Sequence, residues 1–158
     1  MPSATRTTCC PVFDPTPWDR QRVSLDGRHF VKDRVTSFLH VPLNYGAVMS
    51  RNLDAIEAAG ALPASRLVLT DENSLWGADV YFEVTRALPG RPLVSLPGDY
   101  FCRVFEGPFS QVKQWIRAMQ DELAAQGKAA AQLYFFYTTC PACAKKYGRN
   151  YVVLLARV

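Results

Sequence analysis

"DYFCRVFEGPFSQVKQWIRAMQDELAAQG", residues Asp99–Gly127, is the stretch whose reading decides the fold. Its first third is aromatic and β-branched, which reads as a strand over Asp99–Gly107. Pro108 follows at the place a proline takes in a first helical turn. From there Val112, Trp115, Ile116, Met119 and Leu123 recur at helical spacing on one face, and Gly127 closes the helix. A strand that passes through Gly-Pro into an amphipathic helix is half of a module. The question is whether the chain supplies the rest.

It does, on both sides. "QLYFFYTT" (132–139) and "RNYVVLLARV" (149–158) read as strands around the turn "CPACAKKYG". Upstream the same order occurs. "RVTSFLHV" (34–41) reads as a strand. In "NYGAVMSRNLDAIEAAG" (44–60), Tyr45, Val48, Met49, Leu53 and Ile56 share a helical face, with Asn44 to cap its start and Gly60 its end. "RLVLT" (66–70) is a short strand, "DENSLWG" a turn, and "ADVYFEVTRAL" (78–88) a strand with alternating sides. Pro42 and Pro108 both stand at the strand-to-helix step, 66 residues apart. Repetition of order with weak residue identity predicts an internal duplication of topology. The expected class is α+β: two tandem strand–helix–strand–strand modules related by a pseudo-twofold, with antiparallel sheets and a central groove, where small ligands usually bind. Residues 1–32, rich in Pro, Thr and charge, read as an irregular arm anchored by Phe13 and Trp18. The domain then runs over 33–158, with halves of about 33–90 and 91–158.

Composition narrows the function classes. At 49% hydrophobic and 20% charged, the 158 residues can bury a core and do not read as disordered. The net charge of +4 is scattered, with Lys145-Lys146 its densest pair, so direct nucleic-acid binding is not expected. No run approaches the ~20 apolar residues of a membrane span. The segment "MPSATRTTCCPVFDP" lacks a secretory apolar region. A cytoplasmic location with reduced cysteines is the resulting expectation. Nothing in the sequence sets an oligomeric state.

At "YFCRVFEGPFSQVKQWIRAM" the chain resembles the gyrase-inhibitor-like (GyrI-like) small-molecule-binding family. The resemblance rests on the aromatic strand, the Gly107-Pro108-Phe109 step and Trp115 near the second helical turn. It extends from about Arg34 to Val158 and includes the duplication. The resemblance implies a small-molecule ligand or substrate as partner. In that family some members are ligand-sensing domains of transcription regulators. Free-standing members protect cells from toxins, some by adding water to cyclopropane-bearing, DNA-alkylating compounds. With no DNA-binding region attached, the free-standing, hydrolytic kind is the expectation; a non-catalytic sequestering or sensing module is the alternative. Drug-binding members often carry a Phe-Glu-x-Tyr pattern after the second helix. Here Tyr137 matches the Tyr, but Phe135 stands where the acid would be.

Candidate residues follow from this. Strand alternation sets Tyr81 and Glu83 on the side opposite Val80, Phe82 and Val84, where Glu83 can bind a cation or activate water. Its other reading is a solvated residue paired with Arg86 or Arg103. Glu106 lies 66 residues from His40, so a pseudo-twofold would relate an acid to an imidazole; a helix-dipole partner and a hydrogen-bonded strand histidine are their plainer roles. Tyr137 can donate a proton to a departing oxygen or serve as a core tyrosine. Trp18, Trp76, Tyr81 and Phe135 are the candidate aromatic walls.

Cys140-Pro-Ala-Cys143 falls in a hairpin turn, not at the strand-to-helix step that lowers a redox thiol's pKa. A hairpin turn whose thiols help anchor the N-terminus is the expectation. A four-thiolate zinc site with Cys9 and Cys10 is the alternative; otherwise no cofactor is expected. Cys102, in mid-strand, reads as a small core residue.

Overall fold

The computed structural model describes residues 14–38, 41–63, 67–74, 76–138 and 150–158. Cys9, Cys10, Phe13, His40, Cys140 and Cys143 lie outside them. In chain order the elements are β1 (Gln21–Ser24), β2 (His29–Phe38), β3 (Val41–Pro42), α1 (Tyr45–Ala58), β4 (Val68–Ser74), β5 (Gly77–Val84), β6 (Val94–Ser95), β7 (Asp99–Glu106), a 3₁₀ turn at Phe109–Gln111, α2 (Val112–Ala125), β8 (Gln132–Tyr137) and β9 (Tyr151–Arg157). The chain is α+β and mostly sheet. It divides into two compact units, one of residues 24–99 and one that joins residues up to Val23 to 100–158.

In the 24–99 unit the strand order is β4-β5-β2-β3, with β6 beside β2. All of these pairings are antiparallel. Eight consecutive residues of β2 pair with β5, from His29↔Val84 to Thr36↔Gly77. Period-2 alternation then sorts the side chains. Val31 and Val35 of β2 join Val80, Phe82 and Val84 of β5 in one core cluster with Val48 and Ile56 of α1. Burying each such side chain contributes roughly 1.5–3 kcal/mol. Gly60, at φ 65°, ends α1: Ala61 N–H reaches back to the Ile56 carbonyl across it, as a C-terminal glycine allows.

Three expectations change here. Regular structure begins at Gln21 and His29, inside the stretch read as an irregular arm. Pairing with β5 and β6 draws His29–Lys32 into the sheet whatever their own preference. Strand β4 continues through Asp71 to Ser74, where a turn was expected, because a bulge lets it follow β5 to Gly77. Asn44 does not cap α1 with its side chain; its Oδ1 accepts the Thr36 N–H at 2.8 Å instead, tying the helix start to β2.

One polar network interrupts this core. Asp33 lies on the α1 side of β2 and accepts hydrogen bonds from Arg51 and from Asn52 Nδ2, the latter at 2.6 Å. Asn52, 0% exposed, also donates to the Val48 carbonyl and accepts from Arg91, which in turn donates to the Lys32 carbonyl. Burial pushes the Asp33 carboxyl up, but the donors from Asn52, the Arg34 N–H and Arg51 outweigh it and hold the pKa below its usual value.

In the other unit β1 borders β7, and the order continues β7-β9-β8. Trp115, Met119 and Leu123 of α2 pack on Phe135, Val152, Leu154 and Ala156, with Val112 and Ile116 beside them, the face read from the sequence. Gly107 adopts φ 146°, and a Cβ there would fall 2.7 Å from Gln111 Oε1 and 3.5 Å from the Trp115 ring. Glycine is therefore what the strand-to-helix step requires. The opposite face of the same sheet is also buried, with Tyr100, Cys102, Tyr134, Phe136, Val153 and Leu155. Cys102 Sγ is directed at the Tyr100 carbonyl at 3.7 Å, and burial pushes its thiol up to about 12.

The N-terminal segment is held by specific contacts. Trp18 packs edge-on against Phe136, in the anchoring role expected of it. Arg20, at φ 56°, donates its N–H to the Cys102 carbonyl, and the Asp19 carboxylate accepts the Val104 N–H. Glu122 of α2 accepts from both Arg20 and Arg103. Burial pushes its carboxyl up, yet these hydrogen bonds and charges leave the pKa below its usual value.

Two outcomes are expected. Asn52→Leu strips Asp33 and Arg91 of buried partners and should lose about 2–3 kcal/mol in urea unfolding, whereas exposed Asp54→Ala should change it by less than about 0.5. Asp33 and Glu122 both have depressed folded pKa values, so their contribution is present above the unfolded values of about 4 and lost as pH falls through the folded ones. The acid limb of a stability–pH curve should therefore be shallower in Asp33→Asn/Glu122→Gln than in the parent.

Candidate functional site

The side of β5 away from α1 carries Asp79, Tyr81 and Glu83. Directly across on β2 stand Arg34, Lys32 and Phe30, and across on β4 stand Asp71, opposite Asp79, and Leu69, opposite Tyr81. Phe30 and Leu69 are fully buried, so the polar groups between them sit in an apolar setting. Tyr81 is 9% exposed and the Glu83 side chain 11%.

Charge within this patch is organised. Arg34 Nη1 donates to Asp79 at 2.9 Å, and Lys32 Nζ lies 3.6 Å from the other Asp79 oxygen and 5.9 Å from the Tyr81 ring centre. Gly77 makes the first contact possible: a Cβ there would meet the Arg34 guanidinium at 2.8 Å and the Val35 carbonyl at 2.7 Å. Arg28 Nε stands 3.6 Å from Glu83 Oε2. Burial raises the Tyr81 phenol pKa, and the negative charges of Asp79 and Asp71 raise it further. A phenol that keeps its proton can donate a hydrogen bond to an oxygen, and a neighbouring carboxylate can accept a proton.

The other sequence candidates are dispersed. Trp76 is 58% exposed at the turn into β5, where its carbonyl accepts the Ser37 N–H. Phe135 is buried in the cluster beneath α2, and Tyr137 stacks on it at 6.0 Å. Phe135 is thus a core residue on the helix side and not a wall on the helix-free face. Glu106 is exposed at the end of β7 with Tyr151 opposite. Phe105 packs on the α2 side, so alternation points Glu106 to the other face from Tyr137, and the two cannot act on one atom. Arg28 stands beside Glu83 as an ion-pair partner, while Arg103 pairs with Glu122 and approaches Asp19. Of the candidates, Tyr81 and Glu83 are the two that the 24–99 unit brings side by side. His40 and the proposed zinc thiolates lie outside the described residues, and among those described no group of three or more His, Cys, Asp or Glu could hold a metal ion.

Asp79, Asp71, Lys32 and Arg28 went unnoticed in the sequence. Asp79 had a signal, since it lies two before Tyr81 on the same alternating face. Arg28 had none, because a turn delivers it.

A family profile described as bacterial hydrolase matches residues 1–158. The chain belongs to that bacterial hydrolase family. Comparison with curated proteins gave no match. Among the described residues, no helix is long and apolar enough to cross a membrane.

The Tyr81 shift is measurable. Ultraviolet titration should show a phenol ionising above the usual value of about 10, and Tyr81→Phe should remove that step. Because the folded pKa is raised, the contribution is complete below about pH 10 and lost as pH rises through the folded value, so Tyr81→Phe should be less sensitive to alkaline unfolding.

Proposed function

We propose that the chain is a hydrolase that adds water to an electrophilic small molecule, with Glu83 as general base and Tyr81 as proton donor. The observation that carries this reading is the juxtaposition of a nearly buried carboxylate and a phenol of raised pKa on one strand face. Residues i and i+2 of a strand are ~7 Å apart at their Cα atoms, enough to hold a water and a reacting carbon between their tips. Glu83 takes a proton from water as its oxygen bonds to the electrophilic carbon. The electron pair of the broken ring bond passes to an oxygen of the substrate, which receives a proton from Tyr81; Glu83 then returns its proton to the phenolate through solvent. Lys32 and Arg34 neutralise Asp79, so the patch favours a lipophilic substrate over a strongly cationic one. Strained-ring, DNA-alkylating compounds are the class that the GyrI-like resemblance supplies, and self-protection is the corresponding role.

The test is turnover. The protein is incubated with a cyclopropane- or epoxide-bearing alkylator and the plus-water product followed by mass spectrometry. Glu83→Gln should lose at least about 100-fold and Tyr81→Phe about 10-fold, with Glu106→Gln and Tyr137→Phe near the parent. Activity retained in Glu83→Gln removes it as the base. If the parent matches the buffer blank yet retains the compound in equilibrium dialysis, the face serves binding without chemistry.

A further inference from the structure

We infer that Arg28 is an anion-binding residue, whose guanidinium takes an anionic oxygen of the ligand beside Glu83. Its part in catalysis rests on the hydrolase reading above; its binding role does not.

The mount is rigid. Arg28 closes a tight turn in which its N–H donates to the Leu25 carbonyl and Gly27 adopts φ 76°, a conformation glycine takes without strain. The turn is fastened at two further points. Leu25 N–H donates to the Gly98 carbonyl at 3.1 Å, and the Asp26 carboxylate accepts the Gly98 N–H at 2.8 Å. Leu25 itself is fully buried. A long side chain rooted in such a turn loses less freedom on binding than one on an open loop.

The head group is not saturated. Arginine carries five N–H donors. The Glu83 oxygen lies 3.6 Å from Nε, which is an ion-pair distance but beyond a hydrogen bond. Nη1 is buried from solvent and has no hydrogen-bond partner. A charged donor left unpaired in a buried position is costly, and such groups in native proteins call for an explanation such as a bound water or ion. The side chain as a whole remains 34% exposed, so it can be reached from solvent beside Glu83 and Tyr81, which lie deeper. Phe30, directly across from Glu83, and Leu69, across from Tyr81, are fully buried and make the setting apolar. The ligand that fits is apolar or aromatic in body and carries one anionic oxygen, a carboxylate in the ground state or the oxyanion that forms during ring opening. A guanidinium fork suits either.

The experiment compares two probes by isothermal titration calorimetry, 2-naphthoate and its neutral analogue 2-naphthylmethanol. The parent should bind the carboxylate about tenfold tighter than the alcohol, and Arg28→Met should bring the two to within about twofold. Glu83→Gln, which removes the competing carboxylate, should bind 2-naphthoate more tightly. Arg28→Lys, checked by its melting curve, serves as the second variant should Arg28→Met fail to fold, and it should fall between parent and parity. Equal affinities in the parent, no binding of 2-naphthoate, or a preference undiminished by loss of the guanidinium would overturn the proposal. These outcomes are independent of turnover: an inactive protein whose carboxylate preference depends on Arg28 loses the hydrolase reading and keeps the anion site.

Discussion

Everything in the 24–99 unit depends on the two-sidedness of β5. Because successive side chains leave a strand on opposite faces, Val80, Phe82 and Val84 meet α1 only if Asp79, Tyr81 and Glu83 leave on the other side. The eight-residue pairing with β2 makes that choice common to both strands. A slip of one residue would drive Lys32 and Arg34 under the helix and expel Val31 and Val35. Core and polar patch are therefore specified by the same hydrogen bonds, and neither can be altered without the other.

The two ion-pair networks at helix–sheet junctions have a different character. Asp33 accepts hydrogen bonds from Arg51 and Asn52, and Glu122 from Arg20 and Arg103, and in both the donors outweigh burial. Such groups position elements: one ties α1 to β2 and the 91 region, the other ties α2 to β7 and the N-terminal turn. The Glu83–Arg28 contact is looser, at 3.6 Å, and its guanidinium has a donor to spare.

How much of this the sequence disclosed follows from which signals are local. Helix faces and their glycine endings are local, and the α2 stripe from Val112 to Leu123, Gly60 and Gly127 all read correctly. So did the alternation that turns Tyr81 and Glu83 from the helix. Strand ends were less legible: His29–Lys32 and Asp71–Ser74 join the sheet because of partners, not composition. Strand β8 misled for a related reason. With apolar residues on both faces it carries no periodic cue, so the sequence could not assign Phe135 and Tyr137 to the α2 side. Asn52 sits on a helical face that otherwise reads as apolar, and its need for Asp33 and Arg91 shows only in three dimensions. Arg28 is the extreme case, since a turn anchored to Gly98 brings it to Glu83.

The burial of Cys102 bears on its reactivity. Thiolates are the side chains that alkylating agents attack, and attack depends on both ionisation and access. With its thiol pushed up to about 12 and its sulfur enclosed beside Tyr100, Cys102 keeps its proton at neutral pH. The sulfur is thereby kept within the sheet as an inert packing atom.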